Sequence, residues 1–356
     1  MRVAVVGGGV VGLACALELL RAGHEVTLLV RNEKEAASRV AGGMLAPFSE
    51  GLTDELLEFS VESLGLWREF LETVKELSNR SVFFSKGILR VAKDERELDE
   101  LKKLRSYYLK RFCSSAELAE GEELGKLYPK LSEKLAGGVF YEEEGNVDTE
   151  ELTEALFTAF LRLGGELRRE GALRVNRDGE RVLSVKTHSG KLEADYFVFA
   201  AGAWTKELFD VPVFPVKGQI ARAELPPDGP PFVVYARDAY LIPREKDLLL
   251  GATTERAGFD ARPTVKGASA LTGNALSVLP ALEEAEFYEL RVGFRPGTPD
   301  GKPVFYFGEN FALVSGHYRN GILHAPLTAR LVFLLIERRE VSPYFQKFSP
   351  YRFRRT

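Results

Sequence analysis

The sequence predicts an α/β fold in which a discontinuous, Rossmann-like dinucleotide-binding domain is joined to an α+β substrate domain built on an antiparallel sheet. Three observations carry this prediction. A strand, a glycine-rich turn, a helix and a second strand follow one another within residues 2–30. The apolar run DYFVFA, at residues 195–200, is unbroken enough to be a buried parallel strand. Residues 216–296 hold further strand-like segments separated by turn residues, a pattern typical of an antiparallel sheet.

The first elements are the most regular. RVAVVG predicts a strand, and VVGLACALELLRA predicts a helix in which apolar residues recur at helical spacing. Gly23 is a helix stop, and EVTLLV predicts the second strand. Together with the glycine-rich turn, they form a βαβ unit.

The next segments are more ambiguous. Residues 53–77 have a mostly helical apolar pattern, which predicts a long helix. SVFFSKGILRVAKD, at residues 81–94, predicts a hairpin or strand pair around Gly87. Charged stretches up to about residue 135 are expected to be helical.

Later elements return to clear signals. Asp148 and Glu151 have the N-cap and N3 spacing of a capping box, so a helix is predicted to start there. RVLSVKT predicts a strand, and the last ~50 residues predict a strand (FALVSG), a glycine turn and a helix (APLTARLVFLLIERR). We therefore place the cofactor domain at residues 1–80, 140–210 and 300–356, and the substrate-binding domain at residues 81–139 and 211–299.

The composition argues against several classes of function. The chain has 356 residues, of which 45% are hydrophobic and 28% charged, with a formal net charge of −4. This acidic balance argues against nucleic acid or an anionic membrane as the main partner. No apolar run approaches the ~18 residues of a membrane-spanning helix. Because a strand begins at Arg2, we expect no signal peptide.

Residue usage also bears on compartment and source. Cys15 and Cys113 are the only cysteines, which supports no disulfide framework and fits a reducing cytoplasm. Lys and Arg together number 48 and Asp and Glu 52, whereas there are only 2 Met and 4 His. This bias is typical of chains in which heat-labile side chains are replaced and surface ion pairs expanded. We therefore predict a cytoplasmic protein from a thermophile.

The segment GGGVVG at residues 7–12 carries the strongest local motif. It matches G-x-G-x-x-G directly between a strand and a helix. Gly7 permits the tight turn, Gly9 lets the backbone approach a pyrophosphate, and Gly12 lets the helix lie close to the strand. The pyrophosphate would then contact free N–H groups at the helix start. A glycine turn with no ligand is the alternative.

The acidic residue expected at the end of the second strand is missing. Val30 and Arg31 occupy the position where an Asp or Glu would bind the ribose, with Asn32 and Glu33 beyond. In a nicotinamide enzyme Arg31 would indicate a 2′-phosphate and hence NADP. The first unit by itself therefore leaves the cofactor open.

Later segments resemble a known family. ASRVAGGMLAP, at residues 37–47, resembles the segment of the FAD-dependent D-amino-acid oxidase superfamily in which small residues run beside the flavin. AAGAW, at residues 200–204, resembles that family's second FAD contact. Within the superfamily the chain is most similar to the glycine oxidases of thiamine biosynthesis. That similarity rests on VKGQ at 216–219, YLIPR at 240–244, GAT at 251–253, GFRPGTPDG at 293–301 and GHYRNGIL at 316–323.

The resemblance, which runs in order from residue 2 to about residue 330, implies a noncovalent FAD. Arg31 then no longer indicates NADP. A helix dipole behind residues 316–322 would favour the reduced, anionic flavin. The implied cofactor-binding residues are Gly7, Gly9, Val10, Val11, Gly12, Arg31, Arg39, Gly42, Gly43, Met44, Leu45, Ala172, Ala201, Gly202, Trp204, His317, Arg319, Asn320, Gly321 and Ile322.

Three residues are candidates for catalysis. A guanidinium suits a substrate carboxylate because its planar fork binds bidentately, and Arg295 matches the family's carboxylate-binding arginine; an ion pair is its alternative role. Tyr240 matches the tyrosine whose hydroxyl also holds the carboxylate, with sheet packing as the alternative. Arg319 lies where the family has an active-site arginine, and a contact that braces the loop is its alternative.

The resemblance implies oxidation of glycine or another small amino acid or amine, by hydride transfer from Cα to flavin N5 without a general base. The imine would yield a 2-oxo acid such as glyoxylate and ammonia, O₂ would be reduced to H₂O₂, and the product would supply thiazole synthesis. A D-amino-acid or proline-type dehydrogenase that uses another electron acceptor stays open. So does a catalytically silent FAD-binding module. Relatives of this family are often homo-oligomers, so a homo-oligomer is expected.

Two other features bear on the site. His317 and His324 lie seven residues apart with no further ligands nearby, so no metal site is predicted. Thr254 follows GAT where some relatives carry a bulkier apolar side chain at the pocket mouth. The size limit of the substrate therefore stays open.

Overall fold

The structure, a computed structural model, describes residues 1–32 and 36–354. Its strands, in chain order, are β1 Arg2–Val6, β2 Glu25–Leu29, β3 Met44–Leu45, β4 Phe84–Ala92, β5 Glu117–Glu120, β6 Gly137–Val147, β7 Glu166–Arg168, β8 Arg174–Asp178, β9 Arg181–Lys186, β10 Lys191–Leu192, β11 Tyr196–Phe199, β12 Phe214–Glu224, β13 Val233–Tyr235, β14 Tyr240–Pro243, β15 Asp247–Gly251, β16 Phe287–Gly297, β17 Val304–Phe307 and β18 Phe311–Ser315.

Helices alternate with these strands mainly in the first and last parts of the chain. They are α1 Val10–Arg21, α2 Ala37–Val40, α3 Asp54–Ser78, α4 Glu95–Leu109, α5 Glu122–Leu127, α6 Thr149–Arg162, α7 Thr205–Leu208, α8 Val265–Val278, α9 Gly321–Arg338 and α10 Pro343–Lys347. Short 3₁₀ turns lie at Gly202–Trp204, Pro280–Glu284 and Pro350–Phe353.

The first sheet has six strands in the order β17-β18-β11-β1-β2-β7. All of its pairs are parallel except the edge pair of β17 and β18. β1 is central, between β11 and β2, so the predicted DYFVFA strand lies beside the first strand of the chain. This arrangement confirms the predicted Rossmann-like sheet.

The helices on this sheet are held by apolar burial. Leu13, Ala14 and Leu17 of α1 are fully buried against β1, α6 and α9. Each large aliphatic side chain buried in this way contributes about 1.5–3 kcal/mol. Gly23 has a φ of 84°, which explains why the helix ends there.

The second sheet has the order β16-β12-β15-β14-β13-β4-β6-β3, with β5 added beside β6. Its pairs are antiparallel except that of β13 and β4, which is parallel. Ala221, Leu241, Leu248 and Leu250 form part of a core under α8. The sheet-rich second unit predicted from the sequence is thus present, and β8, β9 and β10 form a small separate sheet that the sequence did not predict.

Two local predictions are corrected. Residues 84–92 form one strand and not a hairpin, because β6 pairs along its whole length and Gly87 takes up a register shift. Gly87 has a φ of 92°, and a Cβ there would lie 2.5 Å from the Phe140 ring. The charged region before residue 135 is only partly helical, since Glu117–Glu120 pairs with β6.

The start of α6 follows its predicted cap in part. The Asp148 carboxylate accepts hydrogen bonds from Glu150 N and Glu151 N at 2.9 and 3.1 Å. The Glu151 carboxylate, however, accepts from Phe83 N at 2.7 Å, while Asp148 N donates to the Phe83 carbonyl. The reciprocal half of the capping box is therefore used to tie α6 to the chain before β4.

Among the residues that the structure describes, none of the helices is both long enough and apolar enough to cross a membrane. Cys15 and Cys113 are both buried as free thiols.

Candidate active site

A large cleft opens at the carboxyl ends of β1, β2, β11 and β18, where open α/β sheets bind their ligands. Its empty volume is about 1760 Å³, the mouth included, and strands β12, β14 and β16 of the second sheet face it. The lining includes the predicted residues Gly7, Gly9, Val10, Val11, Arg31, Gly42, Gly43, Met44, Ala172, Ala201, Gly202, Trp204, Tyr240, Arg295, His317, Arg319, Asn320, Gly321 and Ile322.

The glycine turn has the geometry that a bound pyrophosphate requires. Gly7 has a φ of 121°, and a Cβ on it would lie 2.2 Å from the Ala200 carbonyl oxygen. A Cβ on Gly12 would lie 1.9 Å from the Gly7 carbonyl oxygen, so α1 packs directly under the turn. At Gly9, by contrast, the nearest atom to a Cβ is Ser38 Oγ at 3.6 Å, and the turn is open to the cleft. Gly9, the N-cap residue of α1, supplies no side-chain cap, and the first turn has no acidic residue. Val10 N donates to Ser38 Oγ, and the next N–H groups of this N-terminus fit an anion.

The end of β2 explains the missing acid. Val30 is buried, and a Cβ on Gly8 would lie 2.6 Å from its Cγ2, so the side chain is used for packing. The Arg31 guanidinium lies 4.4 Å from the centre of the Trp204 ring and 3.7 Å from the Glu207 carboxylate. Asn32 lines the cleft, whereas Glu33 is outside the described residues.

The segment after residue 36 needs small residues. A Cβ on Gly43 would lie 2.0 Å from the Val147 carbonyl oxygen, and one on Gly42 would lie 2.4 Å from Ile242 Cδ1. The Ala41 carbonyl accepts a hydrogen bond from Thr149 Oγ1 at 2.9 Å. Residues 41–43 therefore pack closely between α6 and β14, and they line the cleft.

Three predicted cofactor residues lie outside the lining. Gly12 is under the turn, where it permits packing. Leu45 follows Met44 in β3 and is fully buried in the core, because alternate residues of a strand face opposite sides. Arg39 lies in α2 between Ser38 and Val40, which do line the cleft, and its side chain turns to a different face.

Arg295 reaches the cleft from β16. Its guanidinium lies over Gly218, where a Cβ would be 2.2 Å from Arg295 Nη1. Nη1 donates a hydrogen bond to the Thr253 carbonyl at 3.0 Å. No other hydrogen bond from this side chain is made to the described residues, so its remaining N–H groups are available to a ligand in the cleft.

Tyr240 reaches the same part of the cleft from β14. Its ring passes over Gly251, where a Cβ would be 1.8 Å away, and stacks on Tyr235 at 6.2 Å with an interplanar angle of 11°. Within the part of the chain that the structure describes, its hydroxyl has no hydrogen-bond partner. Tyr240 and Arg295 thus present two unengaged polar groups to one cavity.

Arg319 is already engaged. Its Nε and Nη2 both lie 2.9 Å from the Glu50 carboxylate, and Nη2 also donates to the Tyr235 hydroxyl at 3.0 Å. Glu50, which lines the cleft, raises the pKa of Arg319 above its usual value. The bracing role considered for Arg319 is the one that this geometry favours.

His317 and His324 form a buried neutral pair. Their Nδ1 atoms lie 3.3 Å apart, so one of them donates to the other, and His324 Nε2 lies 2.8 Å from Ser60 Oγ. Burial lowers the pKa of His317 to about 3 and that of His324 well below its usual value. No cluster of potential metal ligands occurs among residues 1–32 and 36–354.

The turn at residues 316–322 is hydrogen-bonded to the end of β16, next to Arg295. Gly316 and Tyr318 have φ angles of 70° and 49°, and Tyr318 N donates to the Pro296 carbonyl at 3.0 Å. Asn320 precedes α9, whose N-terminus lies in the cleft lining. The cleft thus has a second helix start that favours negative charge.

Several lining residues were not among the predicted site residues, and three of them make contacts that shape the cleft. Ser38 accepts a hydrogen bond from Val10 N at 3.2 Å, Glu50 binds Arg319, and Gln219 lies in the strand beneath Arg295. Ser38 and Gln219 had a sequence signal, since they belong to the ASRVAGGMLAP and VKGQ blocks, whereas Glu50 had none. Thr254, expected at the pocket mouth, is exposed and lies outside the lining.

Comparisons with known proteins identify the family of the chain. A family model described as FAD dependent oxidoreductase matches residues 2–334. A Synechocystis protein named Bifunctional protein ThiO/ThiG is 35% identical over 365 residues, covering 99% of this chain and 54% of that protein. The chain thus spans about half the length of these bifunctional relatives. A glycine oxidase from Geobacillus kaustophilus is 32% identical, covering 98% of this chain and 96% of its own.

Solved structures show the same fold. A crystal structure of glycine oxidase from Geobacillus kaustophilus superposes with a TM-score of 0.94 at 30% identity, covering 99% of this chain and 100% of that one. An L-proline dehydrogenase from P. horikoshii superposes with a TM-score of 0.87 at 22% identity, covering 99% and 97%. The second likeness bears on the fold alone.

Proposed function

The chain belongs to the FAD-dependent oxidoreductase family, and from this premise we propose that it oxidises glycine or another small amino acid or amine. The carrying observation is that Arg295 and Tyr240 present unengaged polar groups beside a glycine turn that fits a dinucleotide. FAD fits here because Gly7 and Gly12 allow no side chain and the N-cap residue of α1, Gly9, makes no side-chain hydrogen bond to the first turn. The similarity to glycine oxidases supports glycine as the first substrate to test.

In this mechanism the residues of the chain bind and orient the substrate. Bound FAD supplies the two-electron oxidant for the substrate Cα–N bond. Arg295 pairs with the carboxylate through its free N–H groups, and the Tyr240 hydroxyl donates to the same carboxylate. Such positioning contributes much of the rate when no side chain abstracts a proton from Cα. The amine must be neutral when it reacts, and its proton leaves to solvent.

The products follow from the chemistry. The imine hydrolyses to a 2-oxo acid, glyoxylate in the case of glycine, and ammonia, while O₂ is reduced to H₂O₂. The likeness to proteins named Bifunctional protein ThiO/ThiG supports a role in supplying thiazole synthesis. The alternative is a dehydrogenase that passes electrons to a carrier other than O₂.

A substrate panel separates these readings. Glycine, sarcosine and D-alanine are added to the purified yellow protein, and flavin bleaching is followed with and without oxygen. Bleaching without oxygen and peroxide formation with it are expected. Bleaching without reoxidation in air would favour the dehydrogenase, and no bleaching by any small amino acid would refute amino-acid oxidation.

Arg295→Ala tests the carboxylate clamp. Loss of a charged hydrogen-bonded partner costs about 2–5 kcal/mol, so kcat/KM for glycine should fall about 30-fold to about 5,000-fold, mostly through KM. FAD content should not change. Arg96→Ala, at a site whose side chain is 85% exposed, is the control and should leave both unchanged. Unchanged turnover in Arg295→Ala would remove this residue from the site.

The remaining assignments extend this proposal. We assign residues 1–80, 140–210 and 300–356 to the FAD domain and residues 81–139 and 211–299 to the substrate domain. Support comes from the six-stranded sheet, whose strands β1, β2, β7, β11, β17 and β18 all fall in the first set. A homo-oligomer and a cytoplasmic location are also proposed, the latter consistent with two unpaired cysteines.

A further inference from the structure

The position of Arg295 depends on a backbone carbonyl. Its Nη1 donates to the Thr253 oxygen at 3.0 Å, and its guanidinium crosses over Gly218. Gly218 supplies the space for this crossing but no polar contact. The direction of the guanidinium fork is therefore set by where Thr253 places its carbonyl.

Thr253 is held in turn by β12. Its N–H donates to the Gln219 carbonyl at 3.1 Å, and its Oγ1 accepts a hydrogen bond from Gln219 N at 2.9 Å. The Thr253 hydroxyl donates to Glu255 Oε1 at 2.6 Å. Because a carboxylate can only accept, the hydroxyl proton must point to Glu255, which leaves an Oγ1 lone pair for Gln219 N.

The Gln219 side chain holds Glu255 in this arrangement and connects it to Thr264. It is fully buried, and its Nε2 donates to Glu255 Oε1 at 2.7 Å and to Thr264 Oγ1 at 3.0 Å. Its Oε1 accepts from Thr264 N at 2.9 Å. α8 closes over the amide, since a Cβ on Gly267 would be 2.3 Å from Nε2. The amide has one orientation that satisfies all these partners.

Electrostatics also favour the ionised form of Glu255. Burial acts to raise the pKa of Glu255, but hydrogen bonds from Thr253 and Gln219 and the charge of Lys217 outweigh it, and the pKa is lowered. Lys217 is itself buried, and its Nζ donates to the Arg262 carbonyl at 2.6 Å. Glu255 thus remains a carboxylate that orders the Thr253 hydroxyl.

We propose that Glu255 and Gln219 are positioning residues for substrate recognition, acting through Thr253 on Arg295. Neither side chain is aimed at the bound carboxylate, since Glu255 lies outside the cleft lining and the Gln219 amide lies under α8. Their effect is to align the Thr253 carbonyl so that the free N–H groups of Arg295 face the cleft. This inference rests on the proposed function, in which Arg295 binds that carboxylate.

The test removes the acceptor at residue 255. Glu255→Leu removes the acceptor of the hydrogen bonds from Thr253 Oγ1 and Gln219 Nε2. The displaced Thr253 carbonyl should raise the KM for glycine about fivefold to tenfold and leave kcat within about twofold. Glu255→Gln keeps an oxygen acceptor and should stay near the unmodified protein. Glu245→Leu is the matched control, since Glu245 is exposed in the turn between β14 and β15. FAD content and Tm are measured for each.

A double-mutant cycle shows whether the effect passes through Arg295. In an Arg295→Ala background, Glu255→Leu should have no further effect on KM. A full effect in that background, or a fall in kcat with unchanged KM, overturns the proposal. If Glu255→Leu does not fold, Thr253→Val replaces it, with Thr253→Ser expected to retain the KM.

Binding of acetate separates this inference from the proposed function. Acetate is titrated into the oxidised, FAD-loaded protein and followed by flavin absorbance, which needs no turnover. If glycine is not oxidised but acetate binds, the proposed function fails, and weaker acetate binding by Glu255→Leu still supports the positioning role. Equal acetate affinity in Glu255→Leu, or no acetate binding by the unmodified protein, overturns it.

Discussion

Glu144 shows how a residue outside the cleft shapes it. It is fully buried in β6, and its Oε1 accepts hydrogen bonds from Phe48 N at 2.5 Å and Ser49 N at 2.9 Å. Its other oxygen bonds the Ser49 hydroxyl. Glu50, which follows Ser49 in the chain, forms an ion pair with Arg319 in the cleft lining. The Glu144 carboxyl group therefore holds the turn at residues 48–49, and this turn positions the Glu50 carboxylate.

Glu144 makes stability depend on pH. Burial, opposed by the bonds from Ser49 and Phe48, raises its pKa from 4.5 to about 8. Between these values the folded protein keeps a proton that the unfolded chain loses. Its contribution to stability is therefore complete below about pH 4.5 and falls as pH rises, by at most ~1.4 kcal/mol per pH unit, to a constant level above about pH 8.

Glu144→Gln should abolish this dependence. In the unmodified protein Ser49 Oγ donates to Glu144. In the glutamine variant the side-chain oxygen can still accept from both backbone N–H groups, and the Ser49 hydroxyl can turn to accept from the amide. The variant should gain stability relative to the unmodified protein from pH 5 to pH 8, as measured by urea unfolding. Glu142→Gln, at an exposed site in the same strand, should show no such gain. Parallel curves for Glu144→Gln and the unmodified protein would contradict the prediction.

α9 illustrates how one element is supported by another. Pro326 lies inside this helix and has no N–H, so the first turn, which borders the cleft, lacks one backbone hydrogen bond. The missing bond would have reached the carbonyl of Ile322. α3 supports the adjacent groups of the helix from the side. Ser63 Oγ donates to the Leu323 carbonyl at 2.7 Å, Trp67 Nε1 donates to the same oxygen at 2.9 Å, and Leu327 N donates to Ser63 Oγ at 3.4 Å.

Ser63→Ala should therefore destabilise the protein. It leaves buried groups of α9 with fewer partners, which costs about 1–3 kcal/mol. Ser106→Ala is the control, because Ser106 is exposed in α4 and bonds only its own helix, at Lys102 O. Chemical unfolding should show a change of less than about 0.5 kcal/mol for the control. Equal effects of the two substitutions would argue against the support of α9 by α3.

At the scale of the whole molecule, an ion-pair network joins the two sheets. Glu150, at the start of α6, lies 3.7 Å from Arg244 of the second sheet and also pairs with Arg291. Arg291 Nη2 also lies 2.6 Å from Glu289 Oε1, and the same oxygen lies 2.8 Å from Arg222 Nη1. Such networks retain their value at high temperature, because the cost of desolvating charges falls.

Arg291→Met should separate part of this network. It leaves two partly buried carboxylates with less compensation, which costs about 1–2 kcal/mol, and Tm should fall by about 2–5 °C. Arg68→Met is the control, since Arg68 is 91% exposed in its side chain and pairs only with Glu72 one turn away. The unmodified protein should melt above the ~45–65 °C typical of mesophile domains. A Tm within that range would remove the thermophile prediction.

Several features were predictable from the sequence because their causes lie within a few residues. The glycine turn needs Gly7 and Gly12 for contacts that β1 and α1 make with each other. Gly23 and Asp148 end and begin helices through their own φ angle or carboxylate. The family resemblance added FAD, and it also pointed to Tyr240 and Arg295, which both line the cleft and whose roles stay predictions.

The tertiary structure alone decided the contacts between distant segments. For Arg319 the sequence left a substrate contact and a loop-bracing contact open, and its ion pair is made with Glu50, which is 269 residues away in the chain. Glu144 reaches Ser49 across 95 residues, and no local pattern marks either pair. Residues 81–94 read as a hairpin because Gly87 resembles a turn, yet β6 pairs with the whole strand. Periodicity and turn residues determine elements, whereas partners between elements depend on how the two sheets pack around the cleft.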